Sequence, residues 1–246
     1  MKFGVTERGD ASRDLSWAAK MDKVDAALLI TKNVSDEFIE HALKYRNTIV
    51  HITCTGYGGT VLEPNVEPYQ KILDRAQELV SKGYPTEQIV IRVDPIFPTG
   101  RGIDRARNVI DAAVAHGFHR FRVSVVDMYP HVRARFEAAN VPSPYGEGRF
   151  TAGPVQFAAV DAMLAEIKAK YSGIMIECCA EPMLHSAEHC GCISTRDVEI
   201  LGMKLLPQEM QSDFHQRRDC MCIPGKTELL TNRHQCENRC LYCYWN

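Results

Sequence analysis

The chain has 246 residues, of which 45% are hydrophobic and 24% charged, and its formal net charge is −2. That balance belongs to a globular protein long enough to bury a sizeable core, and it excludes a global attraction to polyanions, so any nucleic-acid contact must come from a local basic patch. The opening "MKFGVTERGD" has no apolar signal region, and no stretch reaches the ~20 apolar residues of a membrane span, which makes the cytoplasm the expected location.

In chain order, short apolar runs alternate with amphipathic segments over the first 180 residues. Strands are predicted at "KFGVT", "AALLIT", "IVHITCT", "IVIRVD", "FRVSVVD" and "GIMIECC", each nearly continuous in aliphatic residues, as in strands covered on both faces. Helices are predicted between them. "SDEFIEHALKYR" opens on Ser35, a good N-cap. Residues 67–83 carry Ile72, Leu73, Ala76, Leu79 and Val80 on one stripe and stop at Gly83, and residues 102–117 repeat the arrangement and stop at Gly117. In residues 154–171 the expected stripe is Val155, Ala159, Met163 and Ile167. The stretch 137–153, rich in Pro and Gly, reads as a long connection, either a lid or a solvated loop.

Strand–helix alternation of this kind builds a parallel sheet with right-handed crossovers, either an open doubly wound sheet or a (β/α) barrel. Polar residues end strand after strand (Thr6, Glu7 and Arg8; Thr31, Lys32 and Asn33; Thr53 and Thr55; Arg92 and Asp94; Ser124 and Asp127; Glu177 and Glu181), and strand C-termini form the mouth of barrels. The expectation is therefore an α/β fold: a partial or complete parallel barrel over 1–177, with a cysteine-rich cap over 178–246 that completes its mouth.

Ten cysteines mark the chain. Cys54 stands alone, while the other nine lie between 178 and 243. In a reducing compartment such clustering points to metal ligands or catalytic thiols more than to disulfides. Cys236, Cys240 and Cys243, in "CENRCLYCYWN", supply three thiolates. Three thiolates suit a 4Fe–4S cluster with one open iron, where S-adenosylmethionine can bind and be cleaved to a 5′-deoxyadenosyl radical. A zinc knuckle would use similar spacing and add a fourth ligand.

The segments "TKN", "TGYGGTVLEPNV", "IRVDPI", "VVDMY", "CAE", "GCI", "QRRDCMC" and "CENRCLYCYW" resemble an uncharacterised family related to the radical S-adenosylmethionine enzymes, with the cysteine triplet at the C-terminus. The resemblance implies radical chemistry. It also implies a second set, Cys179, Cys192, Cys220 and Cys222, holding another 4Fe–4S cluster or a zinc ion. The chain departs from the family in "TERGD", where the family has a Ser-Arg-Arg-Thr-Asp-like segment, and in Asn238-Arg239, where a His-Gly pair is common.

Cofactor contacts are expected from Lys32 and Asn33 toward the cofactor carboxylate, and from Gly58 and Gly59, where glycine permits close backbone approach, although a tight turn explains the glycines equally well. Arg92, Asp94, Asp127 and Glu181 are the candidates for substrate or ribose binding, with an Arg92–Asp94 pair holding the barrel together as the structural alternative. A one-electron reductant such as flavodoxin or ferredoxin is the expected partner. The specific expectation is an isomerase that rearranges an amino-acid-modified thymine in phage DNA, with Arg120, Arg122, Arg133 and Arg135 meeting phosphate; a radical enzyme acting on a small metabolite is the alternative. An electron-transfer or zinc-stabilised binding protein is the non-enzymatic alternative.

Overall fold

In the computed structural model, residues 1–204, 221–223, 225–232 and 236–245 are described. Eight parallel strands form one sheet: β1 (Phe3–Val5), β2 (Ala26–Thr31), β3 (Thr48–Thr53), β4 (Ile89–Ile96), β5 (Arg120–Val125), β6 (Met175–Cys178), β7 (Glu188–His189) and β8 (Lys226–Glu228). Their spatial order is β7-β6-β5-β4-β3-β2-β1-β8. The sheet is therefore open, with β7 and β8 at its edges: a partial barrel and not a closed one. All six predicted strands form. The two edge strands, of two and three residues, come from the segment expected to be only a cap, so that segment completes the sheet as well as covering its mouth.

Six α-helices are described: α1 (Asp36–Lys44), α2 (Tyr69–Ser81), α3 (Gly100–Ala115), α4 (Pro130–Ala138), α5 (Pro154–Lys170) and α6 (Thr195–Ile200). Ser35 caps α1 by accepting from the Phe38 amide, which satisfies one donor the helix start leaves over. Past the ends of α2 and α3, Gly83 and Gly117 take φ of 99° and 84°, the left-handed turn a glycine makes without a Cβ clash. The stripe of α5 differs from the expected one. Val160, Met163, Leu164 and Ile167 are buried, while Val155 is 83% exposed and Ala159 also faces out. That helix is apolar on several sides, so period alone does not select the packed face. The stretch 137–153 begins inside α4, whose apolar contacts are Val132 and Phe136, one turn apart.

Side chains alternate across each strand. Ala27, Leu29, Val50, Ile52, Ile91, Val93, Phe121 and Val123 pack outward against the helices. The other face holds a smaller apolar layer around Phe3, Val5, Leu28, Ile49 and Val90. Toward β5 and β6 the interior turns ionic. Arg120 and Arg122 are 6% and 2% exposed. Arg122 Nη2 donates to Glu177 at 3.0 Å, and Arg120 Nη2 donates to Asp197 at 2.8 Å. These two arginines were expected to meet nucleic-acid phosphate. They do not face solvent; their charge is used inside the barrel.

Candidate active site

The C-terminal ends of the strands surround one cavity. Of the strand-end residues singled out in the sequence, Glu7, Arg8, Thr31, Lys32, Thr53, Arg92, Asp94, Ser124 and Asp127 line it, together with Cys236, Cys240, Cys243, Cys179 and Cys192. Two thiol groups from residues 179–243 thus open onto a hollow built mostly by the preceding strands.

The triplet side is held by a buried polar network. Asp10 accepts from Thr31 Oγ1 at 2.6 Å, the Lys32 amide at 2.8 Å, Asn33 Nδ2 at 3.1 Å and Asn238 Nδ2 at 2.6 Å. Asn238, 2% exposed, accepts in turn from Arg13 Nε at 2.6 Å and Asn33 Nδ2 at 3.0 Å. Its neighbour Arg239 takes φ of 51°, a left-handed conformation that glycine adopts more readily. The Asn238-Arg239 departure therefore falls on a buried anchor and on a turn where glycine would serve. The Leu241 amide donates to the Leu62 carbonyl at 2.9 Å, and the Arg135 guanidinium donates to the Cys243 carbonyl.

Lys32 sits between the triplet and Glu63. Its Nζ donates to Glu63 Oε1 at 2.8 Å and to the Tyr242 hydroxyl at 2.8 Å, and the same hydroxyl donates to Glu63. Burial alone would lower the lysine's pKa, but the charges of Glu63 and Cys240 outweigh it and hold the ammonium form. Burial pushes the Cys240 thiol up to about 12 and the Cys236 thiol up to about 11, with Lys32 acting against the shift at Cys240. Metal binding at these thiols therefore releases protons, and loading is favoured as pH rises.

Across the cavity, Arg92 pairs with Asp94, which accepts from Ser124 Oγ. Burial opposes ionisation of Asp94, but Arg92 and Ser124 overcome it and hold the carboxyl below its ordinary range. Thus the Arg92–Asp94 pair expected as a structural alternative forms, and both residues still face the cavity. At the rim the Arg8 guanidinium lies 4.5 Å from the Trp245 ring centroid.

The remaining expected contacts fall elsewhere. Asn33 is behind the wall, bonded to Asp10 and Asn238. Gly58 and Gly59 do not line the cavity. A Cβ on Gly58 would stand 2.0 Å from the Glu67 carbonyl oxygen, and Gly59 has φ of 75°, so the pair builds a tight turn that presents Glu63 to Lys32. Glu181 is buried and accepts from the Val125 amide at 3.0 Å, fixing the end of β5. The sequence assigns no role to Asp10 or Glu63, and Asn238 stands out in it only as a departure from the family. They belong to no metal or catalytic spacing, and only the meeting of three distant loops gives them a role.

Cys179, Cys192 and Cys222 form the second group, with sulfurs all within 4.8 Å of one another, close enough to bind a metal ion. Cys220 lies outside the described residues. Contacts with Cys179 and Cys222, and then the charges of Arg92 and Arg122, hold the Cys192 thiol well below the usual range. No helix among the described residues is long and apolar enough to cross a membrane.

A family model described as a domain of unknown function (DUF1848) matches residues 11–245. No curated protein matches the chain. Among solved structures, a putative dihydrodipicolinate synthetase from Pseudomonas aeruginosa is 14% identical, with 72% of this chain and 55% of that chain covered and a TM-score of 0.25. The family match takes in nearly the whole sheet and both thiol groups, and the chain belongs to DUF1848.

Proposed function

We propose that this protein is a radical S-adenosylmethionine enzyme whose cluster is held by Cys236, Cys240 and Cys243 and whose cavity takes the cofactor and a compact polar substrate. The observation that carries the reading is that all three thiols open onto a mouth already furnished with Lys32, Arg92, Asp94 and Asp127. The donor set suits such a cluster: three thiols, with the Lys32 ammonium offsetting part of the burial that disfavours the Cys240 thiolate. When bound, a 4Fe–4S cluster supplies the electron that cleaves S-adenosylmethionine to a 5′-deoxyadenosyl radical.

The chain's own residues bind, orient and shield. Arg8 and Arg92 offer cations to a carboxylate, and Asp94 and Asp127 offer acceptors to an ammonium or hydroxyl group. Tyr242 and Trp245, on the tail, cover the hollow and exclude the water with which a radical would react. Together these features suit a small amino-acid-like substrate. The specific expectation from the sequence, rearrangement of an amino-acid-modified thymine in DNA, has less support: Arg120 and Arg122 are buried, and Arg133 and Arg135 already bond the Arg149 and Cys243 carbonyls.

The test is anaerobic reconstitution with iron and sulfide, then flavodoxin or ferredoxin as reductant and S-adenosylmethionine. Formation of 5′-deoxyadenosine that disappears in Cys240→Ala is the expected result. Tightly bound zinc at the triplet with no cofactor cleavage would instead establish the binding-protein alternative. Nucleoside mass spectrometry after incubation with modified and plain DNA checks the second substrate; conversion there would overturn the small-substrate reading.

A further inference from the structure

We propose that Cys179, Cys192 and Cys222 hold one thiolate-bound divalent ion of the zinc class, and that this ion staples together the two edges of the open sheet. The inference does not depend on the radical reading.

Position is the first argument. β7 and β8 are the two free edges of the sheet. Cys192 follows β7 by three residues and Cys222 precedes β8 by four, while Cys179 directly follows β6. The segments carrying Cys192 and Cys222 run side by side across the gap, and the Ile223 amide donates to the Ile193 carbonyl at 3.3 Å. An ion shared by these thiols therefore ties three loops exactly where the ladder of strand hydrogen bonds stops.

Spacing is the second. A tetrahedral ion with metal–sulfur bonds of ~2.3 Å sets its sulfurs about 3.8 Å apart. Cys179 and Cys192 have sulfurs 3.5 Å apart, and all three lie within 4.8 Å. That is the separation of ligands on one ion. Thiolates on a cubane each take a different iron and stand farther apart.

The third is that the backbone is shaped around the group. The Cys192 amide donates to Cys222 Sγ at 3.1 Å, the kind of second contact that steadies a metal-bound thiolate. A Cβ on Gly191 would stand 2.5 Å from Cys222 Cα, so only glycine lets the two segments approach this closely. Arg122 Nη1 donates to the Gly191 carbonyl at 2.6 Å and clamps the loop from inside the barrel. Ala180, next to Cys179, takes φ of 55°, a costly conformation for a residue with a Cβ.

The experiment uses the full chain purified without iron or sulfide, loaded with Zn²⁺ or Co²⁺ alone and washed with a competing chelator. One retained equivalent is expected in the wild type and in Cys240→Ser, with at least a tenfold loss of affinity in Cys192→Ser. To keep the test independent of how well Cys192→Ser folds, Cys179→Ser is read in parallel by the Co²⁺–thiolate charge-transfer band, which should weaken, and chelator should lower the wild-type melting temperature. Equal retention in Cys192→Ser and wild type would overturn the proposal. So would a Cys179–Cys192 disulfide found by mass spectrometry, or iron with stoichiometric sulfide at this group in a chain lacking the triplet. Failure of 5′-deoxyadenosine formation would leave these readouts untouched, and so separates the two proposals.

Discussion

Replacing Asn238 with alanine probes the join on which the proposed cluster site depends. The side chain gives one hydrogen bond to the Asp10 carboxylate, accepts one from the Arg13 guanidinium and accepts one from Asn33. Bonds to charged groups contribute roughly 1.5–3 kcal/mol each and a neutral one roughly 0.5–1.5. The sum overstates the loss, because Asp10 keeps Thr31, Lys32 and Asn33 as donors and Arg13 keeps the Asn65 carbonyl at 2.6 Å. A cost of about 3 kcal/mol follows, equivalent to about a hundredfold in the opening equilibrium of the tail. Hydrogen exchange read by peptide mass spectrometry should show that loss of protection across 236–245, while β2–β5 peptides stay protected. Iron retained after reconstitution should fall in parallel. Unchanged exchange in the tail, or a loss spread evenly over the whole sheet, would refute the view that Asn238 anchors the triplet loop to Asp10.

Three further outcomes are expected. Gly191→Ala forces a Cβ against the Cys222 backbone and should cost about 1–3 kcal/mol in urea denaturation together with Co²⁺ affinity at the second thiol group, so a neutral variant would show that the close approach is not needed. Glu177→Gln leaves Arg120, Arg122 and Arg196 without a buried carboxylate they share and should lose about 3–5 kcal/mol by the same assay, with a loss under 1 kcal/mol ruling out the buried network as a structural element. His51 is buried with neither ring nitrogen hydrogen-bonded, and burial, then Arg122, Arg92 and Arg120, holds its pKa well below 6.5. The unfolded chain therefore takes up a proton the folded one refuses: this contribution to stability is complete above pH 6.5 and is lost as pH falls, at up to about 1.4 kcal/mol per pH unit. His51→Leu should flatten that part of the profile between pH 7 and 5.5, and parallel profiles for the two proteins would refute the assignment.

The strands were legible because each is a run of aliphatic residues bounded by polar ones, α1 because Ser35 marks its start, and α2 and α3 because an apolar stripe ends at a glycine. What escaped was information held between strands. Arg120, Arg122 and Ser124 alternate with Phe121 and Val123 along β5, so the pattern itself puts both arginines on one face. Whether that face meets solvent or the barrel interior depends on the neighbouring strand, and the register that sets Arg122 beside Glu177 is not written within either strand. α4 is weakly marked in the sequence because its apolar contacts reduce to Val132 and Phe136, although Pro130 at its first position is a start signal. The cysteines were conspicuous. The residues that position them, Asp10, Glu63 and Asn238, follow no metal or catalytic spacing and come from three loops far apart in the chain.

Topology explains why a C-terminal tail can furnish this mouth at all. β8 pairs with β1 in parallel, Phe3 beside Lys226 and Val5 beside Glu228. In a sheet whose strands all run one way, the chain leaves β8 at the same end as every other strand. The chain is thus delivered to the C-terminal face, where the Leu229 amide donates to the Val5 carbonyl at 2.8 Å, Asn238 bonds Asp10 and the Leu241 amide donates to the Leu62 carbonyl. An antiparallel β8 would have sent the triplet to the opposite end of the barrel, away from Lys32, Arg92 and Asp94. The short three-residue strand therefore decides on which face the thiols arrive, and disrupting its pairing with β1 should separate the triplet from the cavity even with every cysteine in place.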